Sequence, residues 1–198
     1  MVVDNGWYEA LTRDNVELVT EGILEITEDG IESGDGVRRQ LDLIILAAGF
    51  EVSRYFWPVP YVGSEGRTLE QVWSKDGPRA FKGVTIPGFP NFFAFYGPNS
   101  QPRTGGIYTW AEIWSRYVGE LLVGMIERRA STIECRTESF IEYNARLDEE
   151  LGRLIWHTEG QGGYHVRDHG RSVMHAPWLT QDYHHMLVSA DFENYVLK

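Results

Sequence analysis

An uninterrupted apolar run, Leu43 to Ala48 within the sequence DLIILAAGF, constrains the fold of this chain more than any other feature. Apolar residues occupy every position rather than every second one, which is typical of a strand buried on both faces of a helix-covered parallel sheet. Parallel neighbours come from alternating strands and helices, and no such alternation precedes this run. The sequence therefore predicts a central strand over 41–48 whose sheet neighbours lie outside this sequence.

The residues before this run are typical of short antiparallel strands. Turn residues separate three runs with β-branched side chains: Val16 to Val19, Ile23 to Ile26 and Val37 to Leu41. A β-meander is the predicted arrangement. Gly34 and Gly36 are spaced as in a phosphate-binding loop, but Arg39 stands where such a loop has its third glycine, and no helical pattern follows. We interpret the segment from Ser33 to Gly36 as a charged hairpin turn.

The middle of the chain is rich in proline and glycine and is predicted to be mostly loop. Within it, Asn91 to Tyr96 (NFFAFY) is rich in aromatic residues and predicts a second central strand that ends at Gly97-Pro98. We expect three parts: a β-meander and central strand over 1–50, a loop-rich segment with the second strand over 51–104, and a helical segment with an irregular tail over 105–198.

The last part predicts two long helices. Apolar residues recur at helical spacing over 106–128 and again over 138–156, and both stripes are interpreted as core contacts. Ser139 and Glu142 have the spacing of a capping box, in which two side chains satisfy free N–H groups of the first turn.

Composition and charge argue against several functional classes. The formal net charge of −11 and the scattered basic residues disfavour nucleic acid binding, which relies on lysine and arginine to neutralise phosphates. No apolar run approaches the roughly 18 residues of a membrane span, so we expect no membrane association. Cys135 is the only cysteine, which excludes an intrachain disulfide and fits a reducing cytoplasm. We interpret this cysteine as a helix-start residue rather than a nucleophile.

All six histidines fall in the tail: His157, His165, His169, His175, His184 and His185. Their clustering suggests a metal site, but only His165 and His169 have the spacing of a helical ligand pair, and glycines on both sides argue against a helix there. We therefore predict no metal site and interpret the histidines as surface or packing residues. A serine hydrolase is disfavoured because no Gly-x-Ser-x-Gly motif occurs.

The start of the first long helix has chemistry that suits an electron-rich group. Free N–H groups and the partial positive charge of a helix N-terminus favour an anion or a carbonyl oxygen. Gly105-Gly106 permits a flat ring to approach the backbone. An ordinary helix cap also explains paired glycines at this position. The residues alone leave both interpretations open.

Five motifs occur in order along the chain: Asp4 to Tyr8 (DNGWY), Asp42 to Phe50 (DLIILAAGF), Pro87 to Ser100 (PGFPNFFAFYGPNS), Gly170-Arg171 and Pro177-Trp178. Together they resemble the C-terminal part of class B flavin monooxygenases, especially Baeyer-Villiger enzymes of the hydroxyacetophenone monooxygenase type. The resemblance implies an α/β fold, the C-terminal part of an FAD/NAD(P)-binding Rossmann-like two-domain structure. In such a fold a β-meander and central strands precede two long helices and an irregular tail.

The resemblance also implies which residues meet the cofactors and substrate. In these enzymes the end of the central strand returns the chain from the NADP domain to the FAD domain, and the later helix start faces the pyrimidine edge of the flavin. The implied cofactor-binding residues are Ala48, Gly49, Phe50, Asn99, Ser100, Thr104, Gly105, Gly106 and Ile107, and the implied substrate-cavity residues are Tyr96 and Tyr108. Two positions depart from the family pattern. Ala48 replaces the usual threonine, and Gln101 to Thr104 replaces an Asn-Leu-Gly-His string.

By the same resemblance, the parent protein is an FAD- and NADPH-dependent monooxygenase that inserts oxygen next to a ketone carbonyl. The alternatives are N- or S-oxygenation of a heteroatom substrate, and a non-catalytic module that associates with another chain. The sequence contains neither glycine-rich dinucleotide loop, nor the family fingerprint Phe-x-Gly-x-x-x-His-x-x-x-Trp, nor the active-site arginine. We therefore assign no catalytic residue. We expect an incomplete part of the FAD domain, inactive alone, which joins its missing N-terminal half or self-associates.

Overall fold

The computed structural model describes residues 5–155 and 170–198. The chain divides into two compact units, Met1–Ala48 and Gly49–Lys198. Within the described ranges, every helix is too short or too polar to cross a membrane.

The first unit, Met1–Ala48, consists of a short helix and a three-stranded antiparallel sheet. Helix α1 spans Trp7–Ala10, and strands β1, β2 and β3 span Ile23–Thr27, Gly30–Ser33 and Arg38–Gln40. The strands pair in the order β1-β2-β3, so the predicted β-meander is confirmed. The run Val16 to Val19 is not a strand, and that part of the prediction is wrong.

A cluster of charged residues fixes the turn between β2 and β3. The Arg39 guanidinium donates to Glu17 Oε1 at 2.7 Å, to Asp35 Oδ2 at 3.0 Å and to Ser33 Oγ at 2.6 Å. Hydrogen bonds from Arg39, from the Val37 N–H group and from the Ser33 hydroxyl lower the pKa of Asp35 to about 2. The predicted charged hairpin turn is therefore confirmed.

The predicted central strand over 41–48 is not formed in the chain by itself. Its backbone has no regular secondary structure, and Leu43, Ile45 and Leu46 are 74%, 79% and 80% exposed. The prediction was wrong because a strand is completed by backbone hydrogen bonds to a neighbour, and no strand in the described ranges pairs with residues 43–48. An exposed apolar segment of this kind is a template for pairing with another polypeptide.

The second unit, Gly49–Lys198, is mainly helical and carries one two-stranded sheet. Its helices are α2 Leu69–Trp73, α3 Ile107–Glu127, α4 Thr137–Leu151 and α5 Thr180–Leu187, and its strands are β4 Ile133–Cys135 and β5 Tyr195–Leu197. The two long predicted helices are confirmed as α3 and α4. The second ends at Leu151, short of the predicted end at 156, and Trp156 itself lies outside the described residues.

The segment Asn91 to Tyr96 is a loop rather than the predicted second central strand. Asn91 and Tyr96 have φ angles of 58° and 56°, which lie in the left-handed region and interrupt an extended backbone at both ends of the segment. The α/β fold class is confirmed, because two small sheets and several helices occur together in the described residues. Its two central strands are not formed within the described residues.

Two details of helix starts differ from the sequence prediction. The N-cap of α4 is Arg136, without a capping side chain, so the predicted box of Ser139 and Glu142 is wrong. A capping box is instead formed at the start of α2, where Thr68 and Gln71 exchange hydrogen bonds. Cys135 ends β4 rather than starting a helix. Burial raises the pKa of its thiol to about 12, which disfavours the nucleophilic thiolate.

The core of the second unit forms along one face of α3. Trp110, Trp114, Tyr117 and Leu121 recur every three or four residues, and each is at most 2% exposed. The Trp110 and Tyr183 rings stack with centroids 5.0 Å apart, which joins α3 to α5. The apolar stripe of α3 is therefore a core face, as predicted. Its packing also sets the position of the start of the helix.

A buried ion pair joins the end of the chain to this core. Lys82 Nζ donates to Asp191 Oδ2 and to Met186 O, both at 2.6 Å. The Tyr117 hydroxyl donates to the other oxygen of Asp191. Burial lowers the pKa of Lys82, and the adjacent Asp191 opposes that shift. Removing one partner of this pair would therefore leave the other as an unpaired charge in the core.

We expect Asp191→Asn to destabilise the second unit by about 3 kcal/mol, because breaking a buried ion pair leaves an uncompensated charge. The exposed pair of Arg116 and Glu112, at 2.7 Å, offers a matched control. Glu112→Gln should change the free energy of unfolding by less than about 0.5 kcal/mol. Urea unfolding followed by tryptophan fluorescence measures both variants, and equal losses would contradict a special role for the buried pair.

Asp35 should give the first unit a pH dependence. Its pKa falls from 3.8 to about 2 in the folded turn, so ionised Asp35 favours the turn above about pH 4. That contribution is lost as the pH falls from about 4 to about 2. We expect the carboxyl carbon of Asp35 to titrate near pH 2 by NMR, and Arg39→Gln to move the midpoint towards the ordinary value. A midpoint near 4 in the unmodified chain would show that the turn contacts do not form.

Candidate functional site

Helix α3 begins at the predicted glycine pair with an open first turn. Gly106 is the N-cap residue, with φ −78° and ψ 154°, and no side chain caps the helix. The first helical hydrogen bond runs from the Trp110 N–H group to Gly106 O at 3.3 Å. The N–H groups of Ile107, Tyr108 and Thr109 therefore precede the hydrogen-bond ladder. All three residues are exposed, so a 21-residue helix presents free donors and its positive dipole end to solvent.

Only one of the two glycines is required by the backbone. Gly105 has a φ of +90°, and a Cβ there would lie 2.8 Å from Trp110 Nε1. The Trp110 indole in turn donates to Thr104 O at 2.9 Å, which closes the loop over the buried ring. At Gly106 a Cβ would have no heavy atom within 4 Å. Gly105 is thus explained by a tight turn onto Trp110, and Gly106 leaves an open surface beside the free N–H groups.

Asn99 and Ser100, predicted cofactor contacts, are buried and hydrogen-bonded within the protein. They are 2% and 0% exposed. Asn99 Nδ2 donates to Ser172 O at 2.7 Å and to His175 O at 3.0 Å, and Ser100 Oγ donates to Gly97 O at 2.6 Å. Their side chains shape the loop that leads to α3. A cofactor contact from either residue stays a prediction that rests on the resemblance.

The tail segment 170–178 holds the loop before α3, an arrangement that sequence reasoning missed. Gln101 and His175 form a parallel β-bridge, and the Ala176 N–H group donates to Gln101 O at 2.8 Å. The hydroxyls of Thr104 and Thr180, 76 residues apart in sequence, lie 2.7 Å from each other. The motifs Gly170-Arg171 and Pro177-Trp178 marked this segment, but no local pattern indicates its partner.

A groove of about 420 Å³ lies beside the start of α3. Its lining residues come from the loop, from α3 and from α5: Thr104, Gly105, Thr109, Trp110, Ile113, Thr180, Gln181 and His184. Thr104 and Gly105 were predicted from the sequence, whereas Gln181 and His184 were not. The positions of these two residues depend on the packing of α5 against α3, which only the fold reveals.

The other predicted residues are exposed but are not all brought together. Tyr96 is 40% exposed, and its ring centroid lies 6.1 Å from that of Trp114 on α3. Phe50 is 80% exposed, and Gly49 has a φ of +87°. Ala48 ends the first unit, whereas Gly49 and Phe50 begin the second.

A larger cavity, of about 520 Å³, lies between the segment after Phe50 and helix α2. Its walls include five aromatic side chains: Tyr55, Phe56, Trp57, Tyr61 and Trp73. The Arg54 guanidinium lies 4.3 Å from the Trp57 ring centroid. This cavity shares no lining residue with the groove beside α3.

Metal ligands do not cluster in the part of the chain that the structure describes. No group of three histidine, cysteine, aspartate or glutamate side chains there can hold an ion. His165 and His169, which have the spacing of a ligand pair, lie outside the described residues, as does His157. His175 Nδ1 lies 2.9 Å from Ser172 Oγ, within the turn that holds the loop before α3.

The sequence is similar over most of its length to bacterial and fungal monooxygenases. It is 36% identical over 196 residues to an uncharacterized monooxygenase of Sinorhizobium fredii, covering 98% of this chain and 30% of that protein. It is 34% identical over 163 residues to a Baeyer-Villiger monooxygenase of Pseudomonas aeruginosa, covering 81% and 30%. It is 30% identical over 202 residues to an FAD-binding monooxygenase of Aspergillus niger, covering 100% and 33%. The chain thus spans about a third of the length of these relatives.

The fold agrees with these relationships. An oxidized steroid monooxygenase bound to NADP matches the whole chain with a TM-score of 0.74 and 26% identity, over 38% of that structure. No protein-family model matches the chain.

These similarities place the chain in the class of flavin-dependent monooxygenases. Within that class, the chain is related to the C-terminal part of class B enzymes, the group that includes Baeyer-Villiger monooxygenases, and the predicted resemblance is confirmed. The Aspergillus relative is named as FAD-binding, and the steroid monooxygenase structure contains NADP, which supports FAD and NADP as cofactors of the family.

The two glycines before α3 should respond differently to substitution. We expect Gly105→Ala to destabilise the second unit by about 1–2 kcal/mol, because its left-handed backbone disfavours a Cβ that would also meet the Trp110 indole. Gly106→Ser, in open space at the N-cap, where serine and glycine are both favoured, should change the free energy of unfolding by less than about 0.5 kcal/mol. Thermal unfolding measures the difference. Equal effects of the two variants would mean that Gly105 does not adopt this turn.

Proposed function

We propose that this chain is the C-terminal part of the FAD domain of an FAD- and NADPH-dependent monooxygenase that inserts oxygen next to a ketone carbonyl. The observation that carries the proposal is the uncapped, exposed first turn of α3, in a chain related over most of its length to a Baeyer-Villiger monooxygenase. In this proposal the first turn holds the ring edge of the flavin, and the remaining cofactor contacts come from polypeptide beyond this sequence.

The residues present fit the ring of a flavin but not its phosphates. The free N–H groups of Ile107, Tyr108 and Thr109 can donate to carbonyl oxygens at the ring edge, and Gly106 leaves space for a flat ring. Pyrophosphate recognition needs a glycine-rich loop before a helix, and this sequence contains none. When bound, the flavin supplies the activation of molecular oxygen.

The first turn of α3 also favours one charge state of the ring. A helix N-terminus stabilises an adjacent negative charge by about 0.3–2 kcal/mol, so it binds a reduced, more electron-rich ring more strongly than an oxidised one. Trp110, on the buried face of α3, is 2% exposed. Its packing holds the N–H donors of the first turn in place before flavin binds. We assign Tyr96 and Tyr108, 40% and 88% exposed, to the wall of the substrate cavity.

The exposed apolar run supports a partner for this chain. Leu43, Ile45 and Leu46 have the sequence of a two-faced buried strand, yet each is at least 74% exposed. In water such a run is costly, at about 25 cal/mol per Å² of apolar surface. We propose that it pairs with a strand of the N-terminal half of the enzyme, and that self-association covers it otherwise.

We expect the isolated chain to lose flavin on gel filtration, and co-expression with a polypeptide that carries the glycine-rich loops to yield a flavin-loaded complex. Ile45→Glu combined with Leu46→Glu should prevent that complex, because two charges cannot enter a buried strand. Ile141→Glu is the matched control, since Ile141 is 60% exposed on α4 and should tolerate a charge. An isolated chain that keeps a flavin spectrum would contradict the proposed division of contacts.

Substrate assays of the complex separate the two oxygenation reactions. With NADPH and a ketone we expect an ester or lactone, whereas a sulfide or amine that is oxygenated while ketones are not would favour the heteroatom alternative. A flavin-loaded complex that oxygenates neither substrate class would contradict the monooxygenase proposal.

A further inference from the structure

Arg171, in the tail, donates hydrogen bonds to acceptors on three different segments. Its Nη1 donates to Asn99 Oδ1 at 2.9 Å and to Ser172 O at 3.2 Å. Its Nη2 donates to Pro78 O at 2.6 Å, and its Nε donates to Asp76 O at 3.3 Å. All three nitrogens of the guanidinium are therefore used. The planar fork thus joins the loop before α3, the loop after α2 and the tail.

The guanidinium is buried without a close carboxylate of its own. Its side chain is 10% exposed, and within the described residues its one ion pair is a 3.9 Å contact with Asp148. Asp148 is held instead by Arg79, which donates to its two oxygens at 3.0 and 2.8 Å. Burial lowers the pKa of Arg171 to about 10. Carbonyl and amide oxygens, rather than a close carboxylate, surround this buried charge. We therefore expect the guanidinium to orient its hydrogen-bond partners more than it stabilises the folded state.

Asn99, the acceptor of this hydrogen bond, controls the backbone of the loop. Its φ is 53°, a left-handed conformation that asparagine tolerates better than most residues. Its amide nitrogen donates to Ser172 O and His175 O, and its backbone N–H group donates to Val173 O at 2.8 Å. The Gln101 N–H group donates to Met174 O at 2.9 Å. With Arg171 on its remaining oxygen, the Asn99 side chain has every polar atom bonded to the tail.

We propose that Arg171 is a positioning residue for the flavin-facing start of α3. The guanidinium orients the Asn99 amide, the amide fixes the loop against the tail, and the loop ends at Gly105-Gly106, where the free N–H groups of α3 begin. The link to flavin rests on the proposed function, whereas the positioning of the loop does not.

Residue-level hydrogen exchange by NMR tests the positioning directly. In Arg171→Lys, which cannot reproduce the fork, we expect the Asn99, Gln101 and Ala176 amides to exchange about tenfold faster, since a single hydrogen bond contributes roughly that factor. The amides of Arg136 and Lys198, which bond Asn194 O and Thr132 O, serve as references and should not change. Uniform acceleration of loop and reference amides would overturn the proposal.

Arg79→Lys is the matched control, because Arg79 lies in the same cluster but bonds Asp148 rather than the loop. It should leave the ratio of loop to reference exchange unchanged, and the same loop-specific acceleration in this variant would overturn the proposal. Should Arg171→Lys fail to fold, the Nη protons of Arg171 in the unmodified chain replace it as the readout. They should exchange far more slowly than those of Arg153, whose side chain is 63% exposed, and equal rates would count against the fork.

In the flavin-loaded complex, Arg171→Lys should shift the visible absorption spectrum of the flavin while Arg79→Lys should not. A loosened loop with an unchanged flavin spectrum would refute the link to the cofactor. If no flavin-loaded complex forms with the unmodified chain, the proposed function fails while the exchange result on the loop still stands.

Discussion

The packing of one face of α3 is the interaction on which the rest of the second unit depends. Trp110, Trp114 and Tyr117 are each at most 2% exposed, and the ring of Trp110 stacks on Tyr183 of α5. Burying large side chains of this kind contributes about 1.5–3 kcal/mol each. The same tryptophan donates its indole N–H group to Thr104 O, so core packing also sets the turn at Gly105. The position of the open first turn of α3 therefore depends on the packing of Trp110 beneath it.

The chain therefore combines a packed helical core with a predicted central strand that lacks sheet neighbours within the described residues. The second unit buries the apolar stripe of α3 within its own core, whereas Leu43, Ile45 and Leu46 in the first unit remain exposed. This contrast matches the coverage of the relatives, of which the chain spans about a third. In the proposed function, a cofactor site divided between this chain and other polypeptide would explain an open helix start without any phosphate-binding loop.

Sequence periodicity was sufficient where local interactions decide the structure and insufficient where distant ones do. The stripe containing Trp110 and Trp114 correctly predicted α3, because a 3.6-residue repeat is a local signal. The run Leu43 to Ala48 predicts a strand that is not formed, because a strand needs a partner that periodicity does not supply. For the candidate site, the glycine pair was visible in the sequence. The pairing of Gln101 with His175 was not, since no local pattern encodes a contact across more than 70 residues.

The most direct measurement is the response of the α3 amides to the redox state of a bound flavin. In the flavin-loaded complex, labelled Ile107 and Tyr108 report on the first turn of the helix, and Ile126 and Glu127 report on its last turn. Because the first turn faces the ring edge in our proposal, we expect flavin reduction to shift the amide resonances of Ile107 and Tyr108 and to leave those of Ile126 and Glu127 unchanged. Equal shifts at both ends of α3, or none at its start, would show that this helix does not face the flavin.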